Sequence, residues 1–257
     1  MSRADDLAFA HRLADAAGEA IRPWFRARVE VETKGDASPV TVADRAAETA
    51  MRGLIAAERP ADGIVGEEFG VSNPGAARVW VLDPIDGTRS FIAGRPIFGT
   101  LVALLEEGRP VLGIIDQPIG RDRWAGAEGE ATTLNGAAIT TRRCPALSMA
   151  LIASTGPQYF HASERARFEA LAAKAGQLVY GGDCYNYGLV AAGHVDIVVE
   201  ANLKLHDFAA LAPIVIGAGG SMTDWEGRAL TGESNGSVIA LGDPSLLPEV
   251  SRRLLAD

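Results

Sequence analysis

The spacing of hydrophobic positions changes several times along the chain, and each change marks an element. Leu7, Ala10, Leu13, Ala14, Ala17 and Ile21 recur at helical spacing within 5–25, which predicts an amphipathic helix. Ala47, Ala50, Met51, Leu54 and Ile55 repeat the pattern and predict a second helix. Between them Val29, Val31 and Thr33 alternate with polar residues as a strand does, ahead of a loop holding Asp36, Ser38 and Pro39. Residues 78–82 read as a short buried strand that ends at Asp83. The apolar runs 97–105 and 111–115, separated by Glu106-Glu107-Gly108, predict a hairpin, with a weaker strand at 123–126 and a turn at Asn135-Gly136.

The second half alternates differently. Strands are expected at 147–154, around Val179, at 195–200, 221–223 and 237–240, and helices at 163–175, 186–192 and 207–217. Such alternation predicts an α/β half. The change of character falls at 142–145, dividing the chain into a domain of residues 1–142 and another of 143–257. No low-complexity linker separates them, so the halves are expected to share an interface. Pro213 lies inside the 207–217 helix, where it is expected to kink the backbone.

Charge and cysteine content narrow the function. The formal net charge of -9 over 257 residues disfavours a nucleic-acid partner, which Lys and Arg would have to hold. It does not disfavour a small phosphate ester, because a bound divalent cation reverses the local sign. Two cysteines, Cys144 and Cys184, read as reduced thiols. There is neither a signal-peptide pattern at the N-terminus nor an apolar run of the roughly 20 residues needed to span a bilayer. A cytoplasmic protein without membrane contact is the expectation.

The segment richest in chemistry is Trp80-Val81-Leu82-Asp83-Pro84-Ile85-Asp86-Gly87-Thr88. An apolar strand delivers one carboxylate, proline stiffens the turn, and a second carboxylate follows three residues on. Asp83, Asp86 and the Ile85 carbonyl then point to one small volume, and all-oxygen ligation suits magnesium or manganese. Gly87 and Thr88 offer backbone N–H groups for a phosphate. Alone, the same residues describe a capped turn equally well. Likewise, Glu67-Glu68 alone reads as a surface pair and Asp207 alone as a helix N-cap.

Taken in order, Gly66-Glu67-Glu68, Asp83-Pro84-Ile85-Asp86-Gly87-Thr88, and Asp207 ahead of an apolar helix and Gly217-Ala218-Gly219-Gly220 resemble the inositol monophosphatase superfamily. The stretch 36–44, with Ser38-Pro39-Val40-Thr41 before Asp44, resembles its early segment. The resemblance implies an α+β fold, a layered α/β/α/β/α sandwich, and a homodimer. It implies that Glu67, Asp83, the Ile85 carbonyl, Asp86 and Asp207 hold two or three magnesium ions, with manganese an acceptable substitute. It assigns Glu67 and Thr88 to orienting the attacking water, Asp44 to a hydrogen bond with Thr88, and Gly87 and Thr88 to the phosphate.

A longer match narrows the substrate. Asp86-Gly87-Thr88-Arg89-Ser90-Phe91-Ile92, Pro96 to Thr100, Gly113 to Pro118, Gly182-Asp183-Cys184-Tyr185 and Thr223 to Gly227 look like bacterial histidinol-phosphate phosphatases of this superfamily. Asp183, Asn186 and Glu200 are then candidates to receive the amine and imidazole of L-histidinol phosphate. Inositol-type members carry a glutamate where this chain has Gly217, which points away from inositol phosphate. His206, beside Asp207, replaces the Tyr of the histidinol-phosphatase group and the Trp of inositol-type members. It is a further candidate for substrate contact, whereas His11 and His194 read as structural and His161 as a loop residue.

Overall fold

The computed structural model describes residues 2–28, 31–33 and 39–256. Val29, Asp36 and Ser38 of the early segment lie outside them. The chain opens with helix α1 (Arg3–Ile21), whose N-terminus is closed by Ser2 and Asp5, each side chain bonding the other's backbone N–H. A small hairpin, β1 (Val31–Thr33) and β2 (Pro39–Thr41), leads into α2 (Val42–Glu58). Thr41 and Asp44 form the same reciprocal cap there. Next come β3 (Gly63–Gly66), β4 (Gly70–Ser72), β5 (Arg78–Asp86) and the short α3 (Thr88–Ile92). The meander β6 (Gly99–Glu106), β7 (Arg109–Gln117), β8 (Asp122–Ala127), β9 (Thr133–Leu134) and β10 (Ala137–Ala138) follows.

The remaining elements alternate as expected. They are β11 (Leu151–Ser154), α4 (Ala162–Ala172), β12 (Gln177–Tyr180), α5 (Tyr185–Ala191) and β13 (Ile197–Glu200). Then come α6 (Leu205–Phe208), α7 (Leu211–Gly217), β14 (Ser221–Thr223), β15 (Val238–Leu241) and α8 (Leu247–Leu255). Eight strands form one sheet in the order β10-β9-β8-β7-β6-β5-β3-β4, and five form another in the order β12-β11-β13-β15-β14.

Three apolar clusters stack these pieces into five layers. Phe9, Leu13, Met51 and Ile55 of α1 and α2 pack against Trp80, Leu82, Val102 and Ile114 on one face of the large sheet. Val81, Leu101 and Ile115 on its other face meet Tyr187, Val190, Phe208, Leu211 and Ile214 of α5, α6 and α7, which also touch Val198 and Val238 of the small sheet. Phe168, Leu171, Val250 and Leu254 of α4 and α8 cover that sheet's outer face through Ile152, Ile197 and Ile239. The layered α/β/α/β/α arrangement expected from the sequence is the one observed.

Three expected elements differ. The strand expected at 147–154 begins only at Leu151, after a 3-10 turn over Leu147–Met149. The strand ending at Asp83 continues to Asp86, with a break in its register against β6 between those two residues. The expected helix 207–217 is two helices, interrupted at Ala209 and Ala210. Pro213 does not cause the interruption. It stands in the first turn of α7, where its missing N–H leaves no intrahelical bond unmade.

Glycine sets the depth at which this middle layer sits. A Cβ on Gly113 of β7 would overlap the Ala210 carbonyl, and one on Gly126 of β8 would lie 2.7 Å from the Pro213 carbonyl oxygen. The α6–α7 backbone therefore rests directly on the sheet, which brings Asp207 close to β5. Gly113→Ala is expected to destabilise the fold by about 1–3 kcal/mol, the usual cost of overpacking. Thermal unfolding followed by circular dichroism checks it, and an unchanged midpoint would mean that the contact is slack.

Candidate active site

The break in β5 turns the backbone so that carboxylates close in sequence face one cavity. Thr100 Oγ1 donates to the Pro84 carbonyl at 2.8 Å and pins the apex of the turn from β6. Thr88 Oγ1 donates to the Ile85 carbonyl at 3.1 Å and folds the end of the turn into α3. Gly87 adopts φ +87°, a left-handed conformation that a side chain would oppose.

Distant segments complete the cluster. Glu67 follows β3, with its backbone N–H on the Leu82 carbonyl at 3.1 Å. Asp207 sits in the first turn of α6, and its Oδ2 accepts the Lys204 N–H at 2.6 Å. It is therefore the third residue of the helix, not the N-cap that its position before an apolar run implied. The Cys184 N–H donates to Asp86 Oδ2 at 2.6 Å, tying the start of α5 to β5. Asp83, Asp86 and Asp207 can each bring an oxygen within 4.8 Å of the others, as can ligand atoms of Glu67, Asp83 and His206. Asp83 belongs to both groups.

Electrostatically the cluster is under strain. Burial pushes the Asp83 carboxyl well above the ordinary carboxylate range, and the charges of Glu67, Asp86 and Asp207 push further. Burial likewise raises Asp86, with Asp183 and Asp207 adding to it and the Cys184 N–H opposing it. Asp207 is raised by burial, while His206 and the Lys204 N–H pull it back. Asp83 Oδ1 is buried without a hydrogen-bond partner among the described residues. A buried acceptor in that state carries an unmet desolvation cost. A donor set dominated by carboxylate oxygens, with His206 as its one nitrogen and an orphaned oxygen on Asp83, fits hard divalent cations such as magnesium.

The cavity holding this cluster has a volume of about 570 Å³ and is also lined by Gly87, Thr88, Arg89, Tyr159, Asp183, Glu200 and Lys204. Asp183 Oδ2 accepts from Ser90 Oγ at 3.0 Å. It crowds Gly87, where a Cβ would stand 2.7 Å from the same oxygen. Asp183 does not cap α5, because no side chain bonds that helix's free N–H groups. Glu200 is buried, and its Oε1 accepts the Thr155 N–H at 2.6 Å. Burial lifts its carboxyl to about 7.

Three expectations need correction. Asn186 does not line the cavity: it is buried behind it, with Nδ2 donating to the Gly181 carbonyl at 3.0 Å and so bracing the loop that carries Asp183. The Asp44–Thr88 hydrogen bond is not formed, since Thr88 donates to Ile85 and Asp44 Oδ2 accepts the Thr41 N–H and hydroxyl at 2.8 and 2.6 Å. Asp44 remains within electrostatic reach of Glu67, and burial raises its carboxyl to about 6. Gly217 lies away from the cavity, where a Cβ would meet Thr132 Oγ1 at 2.6 Å. The missing glutamate therefore says nothing about the substrate. His206 joins the acidic cluster as a potential nitrogen ligand, which the sequence reading had not assigned; its proximity to Asp207 was the available signal.

These features place the chain among the layered α+β phosphatases. The profile of the inositol monophosphatase family matches residues 3–254, and the chain belongs to that family. It is 48% identical to the bifunctional phosphatase IMPL2 of Arabidopsis thaliana, a chloroplastic protein, over 91% of this chain and 68% of that one. It is 38% identical to the histidinol-phosphatase of Mycobacterium tuberculosis, over 92% and 93% of the two chains. The solved structure of an inositol monophosphatase from Zymomonas mobilis superposes with a TM-score of 0.93 at 53% identity, covering all of both chains. No helix among the described residues is long and apolar enough to cross a membrane.

Glu200 yields a pH test. Its folded-state value of about 7 stands above its ordinary 4.5. The folded protein therefore binds its proton more tightly, and stability is lost as pH rises from about 4.5 to 7. Glu200→Gln keeps an acceptor for Thr155 and removes the buried charge. In metal-depleted protein it should stabilise the fold more at pH 8 than at pH 4.5, by at most about 3 kcal/mol. Denaturant titration at the two pH values measures this, and a pH-independent effect contradicts it.

Proposed function

We propose that the chain is a magnesium-dependent phosphatase that hydrolyses L-histidinol phosphate to L-histidinol and phosphate. The observation that carries the metal-dependent reading is Asp83, a buried carboxylate common to two ligand groups with one oxygen left unbonded. Glu67, Asp83, the Ile85 carbonyl, Asp86 and Asp207 would hold two or three magnesium ions, and manganese would serve the same donors. Bound there, magnesium supplies Lewis acidity that lowers the pKa of water and neutralises phosphate charge.

The chain's own groups supply the positioning. The Thr88 hydroxyl has one proton, already given to Ile85, so towards a water it acts as acceptor. Glu67 accepts the other proton of that water, and the two together orient it for in-line attack. Gly87 and Thr88 offer backbone N–H groups to the phosphate, and the glycine leaves room for the Asp183 carboxylate beside them. The organic part then extends towards Asp183 and Glu200, two acceptors suited to an ammonium and an imidazole N–H. Asp44 acts from behind, shaping the field at Glu67, and His206 borders Asp207 at a ring-to-carboxylate distance of 3.5 Å.

Similarity to histidinol-phosphatases over nearly the whole chain supports the substrate. A second reading, inositol 1-phosphate, is favoured by the 53% identity to the Zymomonas mobilis protein. Phosphate release with magnesium should be at least about tenfold faster from L-histidinol phosphate than from inositol 1-phosphate, the equivalent of about 1.4 kcal/mol. Equal or reversed rates defeat the substrate assignment. In the same assay Asp83→Asn should lower turnover more than about 100-fold, beyond what loss of an outer ligand partner costs. An unchanged rate would defeat the metal reading itself.

The homodimer has a candidate face at β12, an edge strand of the small sheet. Leu178, Val179, Tyr180 and nearby Met149 are exposed there, and a contiguous apolar patch is a common mark of association. Sedimentation should give twice the chain mass, and Val179→Asp should shift it towards the monomer; a monomeric parent would remove this proposal.

A further inference from the structure

A second cavity, of about 360 Å³, lies between α1 and the turns at Arg121 and Asn135, and shares no residue with the acidic one. Its lining brings Arg22, Arg121 and Arg123 together with His11 and Asp116, in a chain whose formal net charge is -9. The three guanidiniums are not equivalent. Arg123 is committed, with Nε on Asp116 Oδ1 at 2.6 Å and Nη2 on Asp15 Oδ1 at 2.8 Å. Arg22 and Arg121 are exposed and form neither an ion pair nor a side-chain hydrogen bond among the described residues.

Asp116 is the one acidic side chain in the lining, and Arg22 lies close enough to offset it. Asp116 is 4% exposed, and its Oδ2 has no hydrogen-bond partner among the described residues. Arg22 Nη1 and Asp116 Oδ2 lie within 3.5 Å of one point above Gly18. Arg22 therefore stands beside the Asp116 carboxylate while also lining the cavity. Guanidinium forks in this arrangement match the paired oxygens of phosphate and carboxylate.

We propose that this cavity is a binding site for a small oxyanion, phosphate or carboxylate, held by Arg22 and Arg121 with Arg123 as a fixed wall. Two contacts join it to the acidic cluster. Asp122, between Arg121 and Arg123, accepts from Tyr185 Oη at 2.6 Å, next to the Cys184 N–H that holds Asp86. Asp116 pairs across the sheet with Thr100, which pins Pro84. An occupant of the cavity thus stands on elements that also support the catalytic turn.

Calorimetric titration of metal-depleted protein with inorganic phosphate and, separately, with citrate tests the site. Without cations the acidic cluster repels both probes. One saturable site is expected, weakened at least tenfold in the double variant Arg22→Gln, Arg121→Gln and unchanged in Asp83→Asn. Both arginines are exposed, so the double variant keeps its fold; its unfolding midpoint is measured alongside. Binding of phosphate alone assigns a phosphate-bearing ligand, and binding of citrate alone a carboxylate. No saturable binding of either anion, equal binding by the double variant, or loss of binding in Asp83→Asn overturns the proposal.

Discussion

Mutual repulsion among buried carboxylates is the constraint around which the molecule is arranged. Asp83 is almost wholly buried and is raised by three acidic neighbours at once. Such a concentration of like charge in a low-dielectric site is unfavourable unless protons or cations neutralise it. The surrounding structure holds it together through directed contacts: the Lys204 N–H on Asp207, the Cys184 N–H on Asp86 and the Thr100 hydroxyl on the Pro84 carbonyl. None of these is a full countercharge, which is why the site suits divalent ions.

Packing decides where those contacts fall. The cluster draws on β3, β5 and α6, and α6 reaches it because Gly113 and Gly126 let the helix layer lie against the sheet. The large sheet is covered on its other face by α1 and α2, whose caps at Ser2 and Thr41 close their N-termini. The Thr41 cap engages Asp44 Oδ2 while Oδ1 has no partner among the described residues, and the contact with Thr88 that family resemblance implied is absent because Thr88 donates to Ile85. A residue can thus stand near a site, and shape its field, while its hydrogen bonds serve the helix that carries it.

What was legible in the sequence follows the range of the interactions involved. The Asp83–Thr88 turn could be read because strand, proline, carboxylates and glycine act within a few residues of one another. The alternating periods showed an α/β second half, and the layered fold came from the ordered motifs that resemble the family. The interruption between α6 and α7 could not, since Ala209 and Ala210 are good helix formers and both keep helical backbone angles. Glu200 could be read as a candidate substrate acceptor but not as a buried one, because its partner, the Thr155 N–H, lies 45 residues earlier. Asn186 was misplaced for a related reason. Its polarity was visible, but not that its amide would turn inwards to Gly181.

The hydrogen bond from the Cys184 N–H to Asp86 has a consequence for biogenesis. Asp86 arrives on the large sheet, whereas Cys184 opens a helix of the middle layer, packed between the two sheets. Neither layer alone can present the acids in their final arrangement. A nascent or partly folded chain, with only its first half in place, would lack Asp207, Asp183 and this tether together. Hydrolytic competence is therefore coupled to completion of the whole sandwich, so incompletely folded chains should be catalytically silent.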